Sequence, residues 1–100
     1  MIKCPRTLNV LWDEYQFGVG GRKPAKLFSR RERGRNKFAY SLRLPFWSLV
    51  EQMIRRGNTG NAACATIYDT YGVQCNTVTN ILRRIREDTR NNSLPANLRM

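Results

Sequence analysis

The chain contains no histidine. That removes the commonest general base, the Ser-His and Cys-His nucleophile pairs, and imidazole metal ligands. Acids are scarce as well: seven Asp and Glu stand against eighteen Lys and Arg, a formal charge of +11 at neutral pH. Paired-carboxylate chemistry has little to draw on, so neither an enzyme nor a cofactor or small-molecule substrate is expected. No run approaches the ~18 apolar residues of a membrane span, and no apolar segment follows Met1 as in a signal peptide; no membrane partner is expected. The three cysteines, Cys4, Cys64 and Cys75, are odd in number and form no CxxC pair. They read as reduced thiols of an intracellular protein, not as a disulfide framework or a zinc site. Cys64 and Cys75 are expected as small buried fillers.

What is present is a hydrophobic fraction of 41% with ten aromatics in 100 residues, enough for one small core. The periodicity predicts an all-α domain of four to five short helices, with no convincing sheet and no internal repeat. Leu8, Leu11, Trp12 and Tyr15 form one helical stripe behind Thr7 as N-cap, ended by Gly18, Gly20 and Gly21. Pro24 opens a short turn that should carry Leu27 and Phe28 inward. Ser29 and Glu32 have capping-box spacing, and a short helix is expected over 36–43. Pro45 stands at the first position of the next helix, whose inward residues are Phe46, Leu49, Val50, Met53 and Ile54, with Gly57 beyond its end. A further helix spans 62–71, capped by Asn61 or Thr59, and turns Ala63, Ile67, Tyr71 and, less clearly, Tyr68 inward. The last runs from behind its cap, Asn76 or Thr77, to about Asp88, with Val78, Ile81, Leu82 and Ile85 inward. Trp12 and Trp47 are expected as core anchors. Residues 1–6 read as a disordered N-terminus, 7–88 as the helical domain and 89–100 as a flexible polar tail.

Residues 62–86 have the layout of a helix-turn-helix in the C-terminal half. Gly72 would supply a left-handed backbone, and Val73 would tuck between the helices. Many such units have Ala where Tyr68 stands, which implies a wider crossing or a shifted register. The second helix would lie in the major groove, and Gln74, Asn76, Thr79, Asn80 and Arg83 would face the bases. Asn and Gln pair bidentately with adenine and Arg with guanine, each worth roughly 1–3 kcal/mol of discrimination. A solvated outer face is the bland reading of the same residues. Arg84, Arg86 and Arg90 would reach the backbone.

Residues 22–37 carry Arg22, Lys23, Lys26, Arg30, Arg31, Arg33, Arg35 and Lys37 against one acid, Glu32. Phosphate neutralisation with counterion release is the direct use of that density. Interleaved Phe28, Phe38 and Tyr40 would dock the stretch on the core. Gly21-Arg22-Lys23-Pro24 resembles the core of an AT-hook, an arm lying in the A·T minor groove, although a basic loop on phosphates explains it more simply. A nuclear import signal is a compatible use. The glycines before it are no phosphate loop, because the final Gly-Lys-Ser/Thr is missing.

Leu11-Trp12-Asp13-Glu14-Tyr15, Gly18-Val19-Gly20-Gly21, Lys23-Pro24, the Arg/Lys-rich stretch and the helix opened by Phe46-Trp47 together resemble a known family over residues 7–56. It is the DNA-binding domain of the yeast transcriptional activator of glycolytic genes, with related domains in oomycete and crypton-type mobile-element proteins. The chain departs from that pattern beyond Gly57 and at Pro45. The resemblance implies a helical, sequence-specific DNA-binding domain in transcription. The expected partner is thus double-stranded DNA, in the nucleus, for a monomer or a homodimer, with any activation supplied by protein co-regulators. The alternatives are the non-catalytic DNA-binding part of a transposon-encoded recombinase and a basic RNA-binding protein. A tyrosine recombinase's own chemistry needs the histidine this chain lacks.

Overall fold

The computed structural model describes residues 6–72, 75, 77–96 and 98. All regular structure among them is helical. Helix α1 (Leu8–Gln16) starts as its sequence dictates: the Thr7 hydroxyl accepts from the Val10 N–H at 3.2 Å. Leu8, Leu11 and Trp12 are buried along one side. Phe17 and Gly18 both donate to the Asp13 carbonyl and close the helix. Gly18 sits at φ +78°, and a Cβ there would overlap the Arg22 carbonyl, so only glycine fits. A single 3-10 turn follows at Ala25–Leu27. Its three-residue period places Ala25 and Phe28 on the same side. Ala25 is fully buried and Phe28 packs against the core, while Leu27, expected inward, points out.

The capping box forms: Ser29 accepts from the Glu32 N–H, and the Glu32 carboxylate accepts from the Ser29 N–H. Those bonds start α2 (Arg30–Arg35) despite Gly34, and the helix buries no residue. Helix α3 then runs unbroken from Lys37 to Arg55. Two helices were expected here, with Pro45 opening the second; Pro45 instead lies inside one long helix. An interior proline offers no N–H to the carbonyl one turn back and costs about 3 kcal/mol. Burial on both sides of it outweighs that cost. Phe46, Trp47, Leu49, Val50 and Met53 are buried beyond it, Arg43 before it, and the Trp47 indole N–H donates to the Leu11 carbonyl at 2.9 Å. Ile54, read as inward, lies at the edge of the stripe and stays exposed. Gly57, at φ +105°, ends the helix as expected. Its N–H reaches the Ile54 carbonyl and that of Asn58 reaches Met53, the paired bonds of a Schellman motif.

Thr59, not Asn61, caps α4 (Gly60–Tyr71), accepting from the Ala62 N–H at 3.0 Å. Asn61 accepts instead from the Asn9 side chain. Gly60 lies so close to the Trp12 indole that a Cβ would overlap it, which lets α1 and α4 meet there. Ala63, Cys64, Ile67 and Tyr71 face inward, and Tyr68 does not: it is 57% exposed. Gly72 keeps a right-handed φ of −62°, contrary to the left-handed turn expected. It supplies room instead, since a Cβ would stand 2.6 Å from the Tyr68 carbonyl oxygen. Val73 lies outside the described residues.

Helix α5 (Val78–Arg90) is capped by Thr77, which accepts from the Asn80 N–H at 3.1 Å. It buries Ile81, Leu82 and Ile85 and lies chiefly along α3, with α4 as a lesser neighbour. The helix-turn-helix expected at 62–86 therefore has both its helices, but the second rests more on α3 than on the first. The stretch from Thr89 is not a frayed tail throughout. α5 continues to Arg90, Asn92 takes a left-handed φ of 58°, and the Ser93 N–H bonds the Asp88 carbonyl. Leu94 then packs on the core and Leu98 is fully buried, its carbonyl accepting from Arg56.

Candidate nucleic-acid interface

Because Ile81, Leu82 and Ile85 fix one side of α5 to the core, its opposite side is set for solvent. Thr79, Asn80, Arg83 and Arg86 all lie exposed there, as does Arg90 one turn on. Arg83, Arg86 and Arg90, with Glu87 and Asn91, line an open groove of about 530 Å³. Of the other two residues expected to read bases, Gln74 and Asn76 lie outside the described residues. Arg84, expected on phosphate, is turned toward its own chain: its Nε stands 3.5 Å from Asp88 Oδ1. Asp88 also accepts from the Tyr71 hydroxyl at 2.8 Å, tying α5 to α4. Burial first, and then that bond to Asp88, raise the Tyr71 hydroxyl well above its ordinary pKa.

The eight cations of residues 22–37 divide in the same way. Lys23 forms an ion pair with Glu32 at 2.8 Å, and this bond first, then the Ser29 N–H, lowers the Glu32 carboxyl to about 2. Lys26 donates to the Gln16 side chain at 2.8 Å. The Arg33 guanidinium lies 5.5 Å above the Tyr40 ring, a cation–π contact. Arg22 is exposed on the turn before them. Arg30, Arg31, Arg35 and Lys37 project into solvent, and no ion pair holds them among the described residues. Phe28 and Tyr40 dock this region as expected, their rings 6.4 Å apart, but Phe38 does not: it is 87% exposed.

The aromatic motif in the first helix turns out to build the core. Tyr15 stacks between Trp12 and Trp47 at 5.5 and 4.9 Å, and Tyr40 meets Trp47 edge-on. Burial, with a hydrogen bond to Glu51 next, pushes the Tyr15 hydroxyl up to about 12. Glu14 is buried with Arg43, Nη1 to Oε1 at 2.7 Å. Sequence reasoning missed this pair. The available sign was position: Arg43 lies three residues before Phe46, and Glu14 three after Leu11, each continuing an apolar stripe. Burial also pushes the Cys64 thiol up to about 11, so it is inert at neutral pH. Among the described residues no three His, Cys, Asp or Glu stand together as metal ligands, and no helix is long and apolar enough to cross a membrane.

Comparison with models of known protein families, with curated proteins and with solved structures gives no match.

Proposed function

We propose that this domain binds double-stranded DNA sequence-specifically, in the nucleus and in the service of transcriptional regulation. One observation carries the reading. α5 is clamped to the core by one side and presents Thr79, Asn80, Arg83, Arg86 and Arg90 on the other. A B-form major groove, about 12 Å wide, admits one such helix. In this reading Asn80 and Arg83 sit over base edges near the helix start, and Arg86 and Arg90 reach the backbone further along. Arg30, Arg31, Arg35 and Lys37 supply a second set of phosphate contacts. The charge of +11 supports a polyanionic partner, and the resemblance of residues 7–56 to a transcription-factor domain points the same way.

Selection from a random duplex library at near-physiological salt tests this, repeated with Asn80→Ala plus Arg83→Ala. Both residues are exposed, so the variant folds. The expected outcome is an enriched motif that blurs in the double variant. A motif that survives unchanged would move base reading away from α5. No motif, with binding that collapses as salt rises and single-stranded RNA competing equally, would overturn the DNA reading.

A further inference from the structure

Phe38 is the most exposed large apolar side chain among the described residues, at 87%. It is not overflow from the core. Tyr40, two residues on and about 200° around the helix, faces inward against Phe28 and Trp47. Phe38 points the other way. Its exposed neighbours along the chain are polar, Arg35 and Lys37 before it and Ser41 a turn beyond, while Leu42 one turn on packs against the core. Between Tyr15 and Val50 the only acid is Glu32, and Lys23 already holds it. The ring also sits on a rigid support, since α3 is fastened to α1 through Trp47–Leu11 and Arg43–Glu14. An exposed aromatic on a stiff helix, flanked by the exposed cations Arg35 and Lys37, has a poor fit to a protein partner, whose anchors sit in apolar surroundings. It fits a surface with phosphates outside and stacked rings inside.

Building on the DNA reading above, we infer that Phe38 is an apolar wedge that enters the base stack of a duplex from the minor groove while Arg35 and Lys37 hold the flanking phosphates. Wedges of this kind partly unstack one base step and kink the duplex by roughly 20–90° toward the major groove. The kink brings more of the backbone within reach of the exposed arginines. It also adds a preference for easily unstacked pyrimidine–purine steps at positions that no side chain hydrogen-bonds.

The experiment uses the full chain and a short duplex carrying the site selected above. Dyes at the duplex ends report bending by energy transfer, and 2-aminopurine placed along the site reports unstacking. Phe38→Ala should leave the melting temperature of the protein unchanged, because the ring makes no core contact. It should abolish the bend and the 2-aminopurine signal and weaken binding at least about fivefold, the low end for losing one base–aromatic stack. The salt dependence should be unchanged, since no charge is removed. Phe38→Trp should restore bending. If Phe38→Ala bends and binds the duplex as the unaltered protein does, the wedge is overturned and base reading by α5 stands. If the unaltered protein prefers no duplex, both readings fall together. If Phe38→Ala loses single-stranded RNA or protein capture while duplex binding persists, the ring serves another partner and the wedge is again wrong.

Discussion

Between Gly21 and Phe38 the chain carries eight Lys and Arg, and along α5 it carries four. By sequence density the first region should dominate any electrostatic contact. The structure narrows the gap, because Lys23, Lys26 and Arg33 are each engaged by Glu32, Gln16 or Tyr40. On α5, among the described residues, only Arg84 is drawn toward its own chain, and Arg83, Arg86 and Arg90 share one groove. Between the two regions lies Arg43, as basic as any of them and only 5% exposed. A cation's availability depends on what its own chain offers it. A long, flexible side chain with an acid or a ring in reach gives up part of its pull on solvent-borne phosphate.

The largest effect should come from that buried arginine. Arg43→Ala strands the Glu14 carboxylate in the core, and breaking a buried pair costs about 3–5 kcal/mol, against about 5–15 for a whole domain. Thermal unfolding should show a severe loss or an unfolded chain. Glu14→Leu with Arg43→Met, which removes both charges, should recover most of the stability and leave DNA affinity intact. Loss of affinity in that folded double variant would place Arg43 in the interface after all.

Next come the salt slopes. Replacing Arg30, Arg31, Arg35 and Lys37 by Ala should lower the slope of log K against log salt by about 3.6, and replacing Arg86 and Arg90, the α5 cations placed on the backbone, by about 1.8, at ~0.9 per phosphate contact. Replacing Lys23, Lys26 and Arg33 should change it by less than about 1, since those charges are already engaged. Filter binding over a salt series checks all three. Equal slopes per cation would erase the distinction between engaged and open charges.

The smallest effect concerns α2, the helix that carries the open cations Arg30, Arg31 and Arg35. Glu32 is held at about 2 against its ordinary 4.5. A carboxyl whose pKa is lowered by folding stabilises the fold above its unfolded value, and that contribution fades as pH falls from 4.5 through about 2. The α2 amide signals should therefore lose dispersion over that window, and Glu32→Gln should remove the pH dependence of this step. An unchanged α2 at the acid end would mean that the capping box and Lys23 contribute nothing to it.

Much of this molecule could be read in advance, for local reasons. Thr7, Ser29 with Glu32, Thr59 and Thr77 each cap a helix through an oxygen three residues from its donor, and Gly57 ends one through a conformation other residues rarely adopt. The stripes of α1, α3, α4 and α5 named most of the core, from Leu11 and Trp12 to Ile81 and Ile85. Such signals need only the neighbours within one turn of chain.

The features that escaped all depend on distant partners. Pro45 continues a helix because Arg43 finds Glu14, 29 residues away, and Trp47 finds Leu11, 36 away. Gly60 matters because Trp12 leans on it, and Leu98 leaves a polar tail because a core site awaits it. Lys23 and Phe38 stand in the same basic stretch, yet one is engaged and the other left open. The sequence by itself determined an all-helical, strongly basic domain and the turns that divide it, since caps, periodicity and net charge are properties of short segments. Only the tertiary structure decided which of the charges are engaged by their own chain and which pair lies buried, because burial and pairing energies arise between segments that the chain order does not place together.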